Sequence, residues 1–287
     1  MTSVARAWKN GFSEWRESRD RLGVEKRVHF VPTMGALHEG HAALIRTARM
    51  NAGKDDEVVV SVYVNPTQFN DAMDFEAYPK TEETDVALAL GAGADAVVFP
   101  DVEEMYPGGV PDRVETVDFG QLTRLWEAEH RPGHFDGVVA VVRALFREAL
   151  PSRAYFGEKD WQQLSVIRRL AWTEFPNLEI VPVGTIREEG GLAMSSRNAR
   201  LSSSGRKRAE SIYRGLHEIV RESGEVSVVN AVRSQWELEG MEVEYVAVVD
   251  ARELTEPWTG QRPGRAIAAV WIEGVRLIDN MPLAPRN

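Results

Sequence analysis

Two imidazoles three residues apart, His38 and His41, head the set of side chains that could do chemistry. They close the stretch Phe30-Val31-Pro32-Thr33-Met34-Gly35-Ala36-Leu37-His38-Glu39-Gly40-His41. Val28, Phe30 and Val31 read as a short buried strand, and Leu44, Ile45 and Ala48 recur at helical spacing after it. Pro32 and Gly35 mark the turn between them. The histidines therefore fall at the first turn of a helix, where free N–H groups and the positive dipole end favour an anion. A phosphate chain suits that place. A metal is the competing reading. Zinc would need a third protein ligand, and the chain has no cysteine. His41 follows Glu39 by two residues rather than three, so the metalloprotease pattern is absent.

Further donors are scattered along the chain. Lys159 lies in Gly157-Glu158-Lys159-Asp160, and Arg197 follows Ser195 and Ser196. These suit a polyphosphate. The amides of Gln68 and Gln163 both donate and accept, which suits hydroxyls and a carboxylate. No Ser-His-Asp set is evident, and neither Gly-x-Ser-x-Gly nor a Walker-type phosphate loop is present. The donors favour in-line attack at phosphorus without an enzyme nucleophile.

Alternating elements must position these groups. The pattern predicts strands at 28–31, 58–63, 96–99, 153–156 and 178–182. Helices are predicted at 41–51, 81–90, 137–149 and 162–173. Such alternation with apolar strands implies an α/β fold, a Rossmann-like doubly wound parallel sheet with helices on both faces. Ligands in such sheets bind beyond the carboxyl ends of the strands. Val4, Trp8, Phe12 and Trp15 predict an amphipathic N-terminal helix. After about Thr185 the texture changes. Ser202 to Ser204 offer a cap for a helix facing inward with Ile212, Leu216 and Ile219, and strands follow at 243–249 and 266–272. This predicts a first domain over 1–185 and a smaller α+β C-terminal lid domain over 186–287, with Ser195 to Asn198 at the junction. Asn70 to Tyr78 shows no clear periodicity and is expected to be a flap beside Gln68.

Composition narrows the class. Across 287 residues, 43% are hydrophobic and 27% charged, as in an ordinary globular protein. The absence of cysteine excludes disulfides and a thiolate nucleophile and fits a cytoplasmic location. A net charge of −10 argues against a duplex nucleic acid as partner. No apolar run is long enough to span a bilayer.

His38-Glu39-Gly40-His41 resembles the His-x-Gly-His signature of the nucleotidyltransferase superfamily. The longer string from Val31 to His41 resembles one family within it, the pantothenate synthetases (pantoate–β-alanine ligases). Four further segments agree in order and spacing: Val64 to Phe69, Arg131 to Phe135, Ala154 to Asp160, and Met194 to Asn198. The resemblance covers nearly the whole chain. It implies ATP-dependent joining of pantoate to β-alanine through a pantoyl adenylate, with AMP and pyrophosphate released. It also implies Mg²⁺ on the triphosphate and a homodimer. Residue by residue, it implies that Met34, Gly35, Ala36, Leu37, His38, Glu39, Gly40 and His41 line the ATP site. His41 matches the family's proton donor, and His38 should meet phosphate. Gly157, Glu158, Lys159 and Asp160 should hold ribose, adenine and phosphates, Ile186 should flank adenine, and Met194, Ser195, Ser196 and Arg197 should close over the triphosphate. Gln68 and Gln163 should bind pantoate, with Gln68 also near β-alanine. Asp85 matches an acidic position near Mg²⁺; a solvated helix residue is the alternative. His134 is either part of a turn or a nucleotide neighbour. Gly190, Ala128 and Lys80 depart from the family's usual Asp, Gly and Arg. Two rivals stand beside this reading: a nucleotidyltransferase acting on a phosphorylated alcohol, and a nucleotide-binding protein without turnover.

Overall fold

The computed structural model describes residues 6–22, 26–69, 75–76 and 78–286. Six strands form one parallel sheet: β1 (Arg6–Trp8), β2 (Val28–Thr33), β3 (Glu57–Val62), β4 (Ala96–Val98), β5 (Arg153–Gly157) and β6 (Glu179–Val183). Their order is β1-β4-β3-β2-β5-β6. Phe30 of β2 pairs with Val59 on one side and with Ala154 on the other. The chain thus winds outward from β2 in both directions, and the switch point lies between β2 and β5.

Alternation along the strands sends successive side chains to opposite faces. Val31, Val58, Val60, Val97 and Tyr155 pack under helices α2 (Glu39–Asn51) and α3 (Glu82–Gly91). Phe30, Val59, Val98 and Phe156 pack on the other face. There they meet α1 (Gly11–Leu22), α4 (His134–Ala149) and α5 (Trp161–Glu174). With both faces covered, β3 is buried over Glu57–Ser61, which explains its nearly unbroken β-branched run.

The remainder is an antiparallel sheet of β7 (Glu242–Asp250), β8 (Gly264–Ile272) and β9 (Val275–Leu283), in the order β7-β8-β9. Helices α6 (Ser203–Arg221) and α7 (Val226–Leu238) cover one face through Ile212, Leu216, Val232 and Trp236. The other face, with Tyr245, Ala247, Val249, Ile267 and Ala269, joins the core of the large sheet. Ser202 caps α6 by accepting the Gly205 N–H at 3.0 Å.

The expected N-terminal helix is displaced. Trp8 lies in β1 rather than in a helix, because Arg6–Trp8 pairs in register with Ala96–Val98. The helix begins only at Gly11, where Glu104 accepts the Phe12 and Ser13 N–H groups at 3.0 and 2.9 Å. Val4 and, of the flap expected over Asn70 to Tyr78, Asn70 to Asp74 and Ala77 lie outside the described residues. Helix α7 and strand β9 are additions to the expected elements.

Candidate active site

The loop after β2 is held from a distance. The Asp85 carboxylate, buried on α3, accepts the N–H groups of Ala36 and Leu37 at 3.0 and 2.7 Å, and the Thr81 hydroxyl at 3.2 Å. Asp85 is therefore neither a solvated helix residue nor a free acidic ligand. Its oxygens fix the loop that delivers His38. Among the described residues no group of three or more His, Cys, Asp or Glu side chains could hold a metal ion.

His38 and His41 cap α2 reciprocally. The His38 Nδ1 accepts the Gly40 N–H at 3.1 Å, and the His41 Nδ1 accepts the His38 N–H at 3.2 Å. Their ring centroids are 4.2 Å apart. Each neutral ring carries its proton on Nε2, because Nδ1 is an acceptor. Burial pushes the His41 pKa down to about 3, with the His38 and Lys159 charges acting in the same direction. Burial, then Lys159, lowers that of His38. Both rings are thus neutral N–H donors at a helix N-terminus. Gly40 is required between them, since a Cβ there would sit 2.8 Å from the His38 Cε1.

The loop after β3 supplies Gln68. Asn65 donates to the Gln68 Oε1 and to the Gly137 carbonyl, both at 3.1 Å. Its own Oδ1 accepts the Tyr106 hydroxyl at 2.7 Å. The Gln68 Nε2 points to the Met34 sulfur at 2.9 Å. This turn lies against α4, where a Cβ on Gly137 would stand 2.3 Å from the Thr67 carbonyl oxygen. His134 settles into the same place as a brace. Its Nδ1 donates to the Gln68 carbonyl and its Nε2 accepts from Arg131, each at 3.0 Å. Burial first, then Arg131, pushes its pKa down to about 3.

Two adjacent glutamines at the start of α5 divide their work. Gln162 is buried, accepts the Glu127 N–H at 3.1 Å and donates to the Leu122 and Leu125 carbonyls at 3.0 and 2.8 Å. The Gln163 side chain has no hydrogen-bond partner among the described residues and lines the cavity.

That cavity, of about 280 Å³, runs between the two sheets. It gathers Met34, His38, Gly40, His41, Gln68, Gly157, Lys159, Asp160, Gln163, Ile186, Met194, Ser195, Ser196 and Arg197. It leaves out Gly35, Ala36, Leu37, Glu39, Glu158 and Asp85. The amides of Ala36 and Leu37 are spent on Asp85, Glu39 pairs with Arg46, and Glu158 pairs with Arg265. Sequence reasoning missed Tyr78, Glu127 and Arg131 as lining residues. Tyr78 hydrogen-bonds Ser196. Glu127 accepts two bonds from Arg276, at 2.8 and 2.7 Å, and one from the Tyr245 hydroxyl at 2.6 Å. Burial opposes its charge, but Arg276 outweighs that and holds its pKa at about 2. The Arg-Pro-Gly-His segment was the available signal for Arg131.

The departures from the family pattern have local explanations. A Cβ on Gly190 would fall 2.3 Å from the Glu210 carboxyl carbon, so Glu210 fills the room of a larger side chain. Ala128 packs its methyl against the core beside α4. Lys80 is exposed, and nothing in the structure explains its replacement of Arg.

Neutral imidazole donors at the switch point of a doubly wound sheet, with Lys159 and Arg197 on the same cavity, mark an α/β enzyme that handles a nucleotide's phosphates. The family model for pantoate-beta-alanine ligase matches residues 6–282, and the chain belongs to that family. It is 45% identical over 280 residues to the pantothenate synthetase of Paracoccus denitrificans, covering 95% of this chain and 94% of the relative. It is 47% identical over 278 residues to that of Rubrobacter xylanophilus, covering 93% and 94%. The crystal structure of the Thermus thermophilus pantothenate synthetase superposes with a TM-score of 0.86 at 41% identity, over 98% of this chain and 100% of that one. The Francisella tularensis pantoate-beta-alanine ligase, solved with β-γ ATP and β-alanine, gives 0.78 at 32% identity over 96% and 97%.

Proposed function

We propose that this ligase works in two steps within the cavity between the sheets. The carboxylate of pantoate attacks the α-phosphorus of ATP, giving a pantoyl adenylate and pyrophosphate. The amine of β-alanine then attacks the activated carbonyl, giving pantothenate and AMP. The observation that carries this reading is the reciprocal cap. It leaves two Nε2–H donors at the N-terminus of α2, beside Lys159. Donors fixed before the reaction act on charge that develops in the transition state.

In this reading His38 and His41 donate to the phosphates, and Lys159 and Arg197 balance the charge of the departing pyrophosphate. His41 serves as a hydrogen-bond donor rather than as an acid, since its ring is neutral well below neutral pH. Ile186 flanks the adenine, Gly157 and Asp160 serve the ribose side, and Met194 to Arg197 close over the triphosphate. Gln163 and Gln68 bind pantoate. The cation Arg131 is braced by His134 next to Gln68 and serves the carboxylates of the acid substrates. Mg²⁺ would enter with ATP, as part of the substrate, and shield the charge of its phosphates.

The chain is proposed to divide near residue 186, since β6 ends at Val183. A cytoplasmic location and a homodimer belong to the same proposal, and the exposed Trp172 beside Leu178 and Ile180 near the sheet edge at β6 offers an apolar face to a second copy. No described helix is long and apolar enough to cross a membrane. The reaction is tested by identifying products with ATP, pantoate and β-alanine while omitting each in turn. Pyrophosphate should require ATP and pantoate, and AMP release should accelerate with β-alanine. Turnover of CTP with a phosphorylated alcohol instead would point to the superfamily's other chemistry.

A further inference from the structure

Strand β9 lies far from the phosphate loop in sequence, yet one of its side chains grips the turn that carries Lys159. The Asn280 Nδ2 donates to the carbonyls of both Glu158 and Lys159, at 3.0 and 2.8 Å. Its Oδ1 accepts the Arg265 Nε at 2.7 Å, which fixes the orientation of the amide. Arg265 is held in turn. Its guanidinium lies 3.4 Å over the Trp161 ring and donates to the Glu158 carboxylate at 2.9 Å. The neighbouring Asp279 forks onto Arg187 at 2.6 and 2.9 Å and accepts the Asn280 N–H at 2.7 Å. Asn280 is 4% exposed and lines the cavity.

A residue needed only to join two sheets would not need an amide held in one orientation by Arg265. An amide with both N–H donors spent on two consecutive main-chain carbonyls fixes the position of that main chain. The fixed segment is a single turn between β5 and α5, and Lys159 is its middle residue. We infer that Asn280 is a positioning residue for the adenylation step, by which the C-terminal sheet sets the place of Lys159. This rests on the proposed role of Lys159 at the phosphates. A misplacement of a reacting group on the order of 1 Å costs up to about 10²-fold in rate.

The test uses Asn280→Asp, Asn280→Ala and Lys159→Ala, read as pantoate-dependent exchange between pyrophosphate and ATP. Asn280→Asp keeps the acceptor for Arg265 and strengthens that pair, but it turns a second oxygen toward the two carbonyls. A positioning role predicts that kcat falls about tenfold or more in both Asn280 variants, with KM for ATP changed less than about threefold. In the Lys159→Ala background, Asn280→Asp should then cost less than about twofold, because the group it positions is gone. Thermal unfolding of each variant shows that the fold is kept, and Asn280→Ala carries the test if the aspartate does not fold. Near-normal exchange in Asn280→Asp, or an equal loss with and without Lys159, overturns the inference. An unchanged rate in Lys159→Ala alone overturns the role of Lys159 instead, so the two failures are distinguishable.

Discussion

His38 and His41 each accept a backbone N–H through Nδ1, so the two rings lock each other as Nε2–H tautomers at the head of α2. This accounts for the spacing of the motif. Three residues separate a helix cap from the position whose side chain returns to it. Gly40 lies between them because a Cβ there would press on the His38 ring.

His41→Ala should reduce pantoate-dependent exchange between pyrophosphate and ATP by roughly 10²–10³-fold, the loss expected for one donor to developing charge. Circular dichroism should stay unchanged. Because the ring is neutral down to a pKa of about 3, the wild-type rate should show no inflection from it between pH 8 and 6. A drop of only a few-fold in the variant contradicts the role.

Gly40→Ala separates activity from stability. The added methyl turns the His38 ring out of its cap, which costs about 0.5–2 kcal/mol. Alanine returns up to about 1 kcal/mol of helix propensity. The unfolding midpoint should therefore move little while exchange activity falls at least about tenfold. Full activity with an unchanged midpoint contradicts a requirement for glycine.

Gln162→Ala and Gln163→Ala should differ in kind. Removing Gln162 leaves the Glu127 N–H and two carbonyls without partners, at about 1–3 kcal/mol for a buried group. Removing Gln163 should leave stability unchanged and weaken pantoate, not ATP, by about three- to tenfold. Calorimetric titration with each ligand checks this. Equal weakening of both ligands by Gln163→Ala speaks for a structural role.

His134 makes stability depend on pH. Its folded pKa of about 3 lies below the ordinary value of 6.5. The unfolded chain therefore binds the proton more readily, and stability falls as pH drops from 6.5 toward 3. By pH 5 this ring alone costs about 2 kcal/mol. His134→Asn lacks that loss, so its destabilisation relative to wild type should shrink by about that amount between pH 7 and pH 5. Denaturant titration at both values measures it. A gap independent of pH contradicts the neutral brace.

Much of the large sheet and the phosphate loop was legible because the signals are local. Apolar strands followed by Met34 to His41, by Asn65 to Gln68 and by Gly157 to Asp160 place those residues at the carboxyl ends of β2, β3 and β5. The duties of Asp85, Asn280 and Glu127 were not legible. Their partners lie 48 or 49, 121 or 122 and 149 residues away, at Leu37 and Ala36, at Lys159 and Glu158, and at Arg276. The division between Gln162 and Gln163 was hidden for a related reason. Adjacent helical residues point about 100° apart, and only the packed structure says which direction holds the cavity. Trp8 followed a helical period by accident, and pairing with β4 overrode it.

Direct attack of pantoate on phosphorus is tested most directly by the fate of its oxygen. Pantoate labelled with heavy oxygen in the carboxylate is turned over with ATP and β-alanine, and the products are weighed by mass spectrometry. An adenylate route passes one labelled oxygen to AMP and none to pyrophosphate. Label in inorganic phosphate, with ADP as the second product, contradicts it, and with it the placing of His38, His41 and Lys159 around the α-phosphate and the departing pyrophosphate.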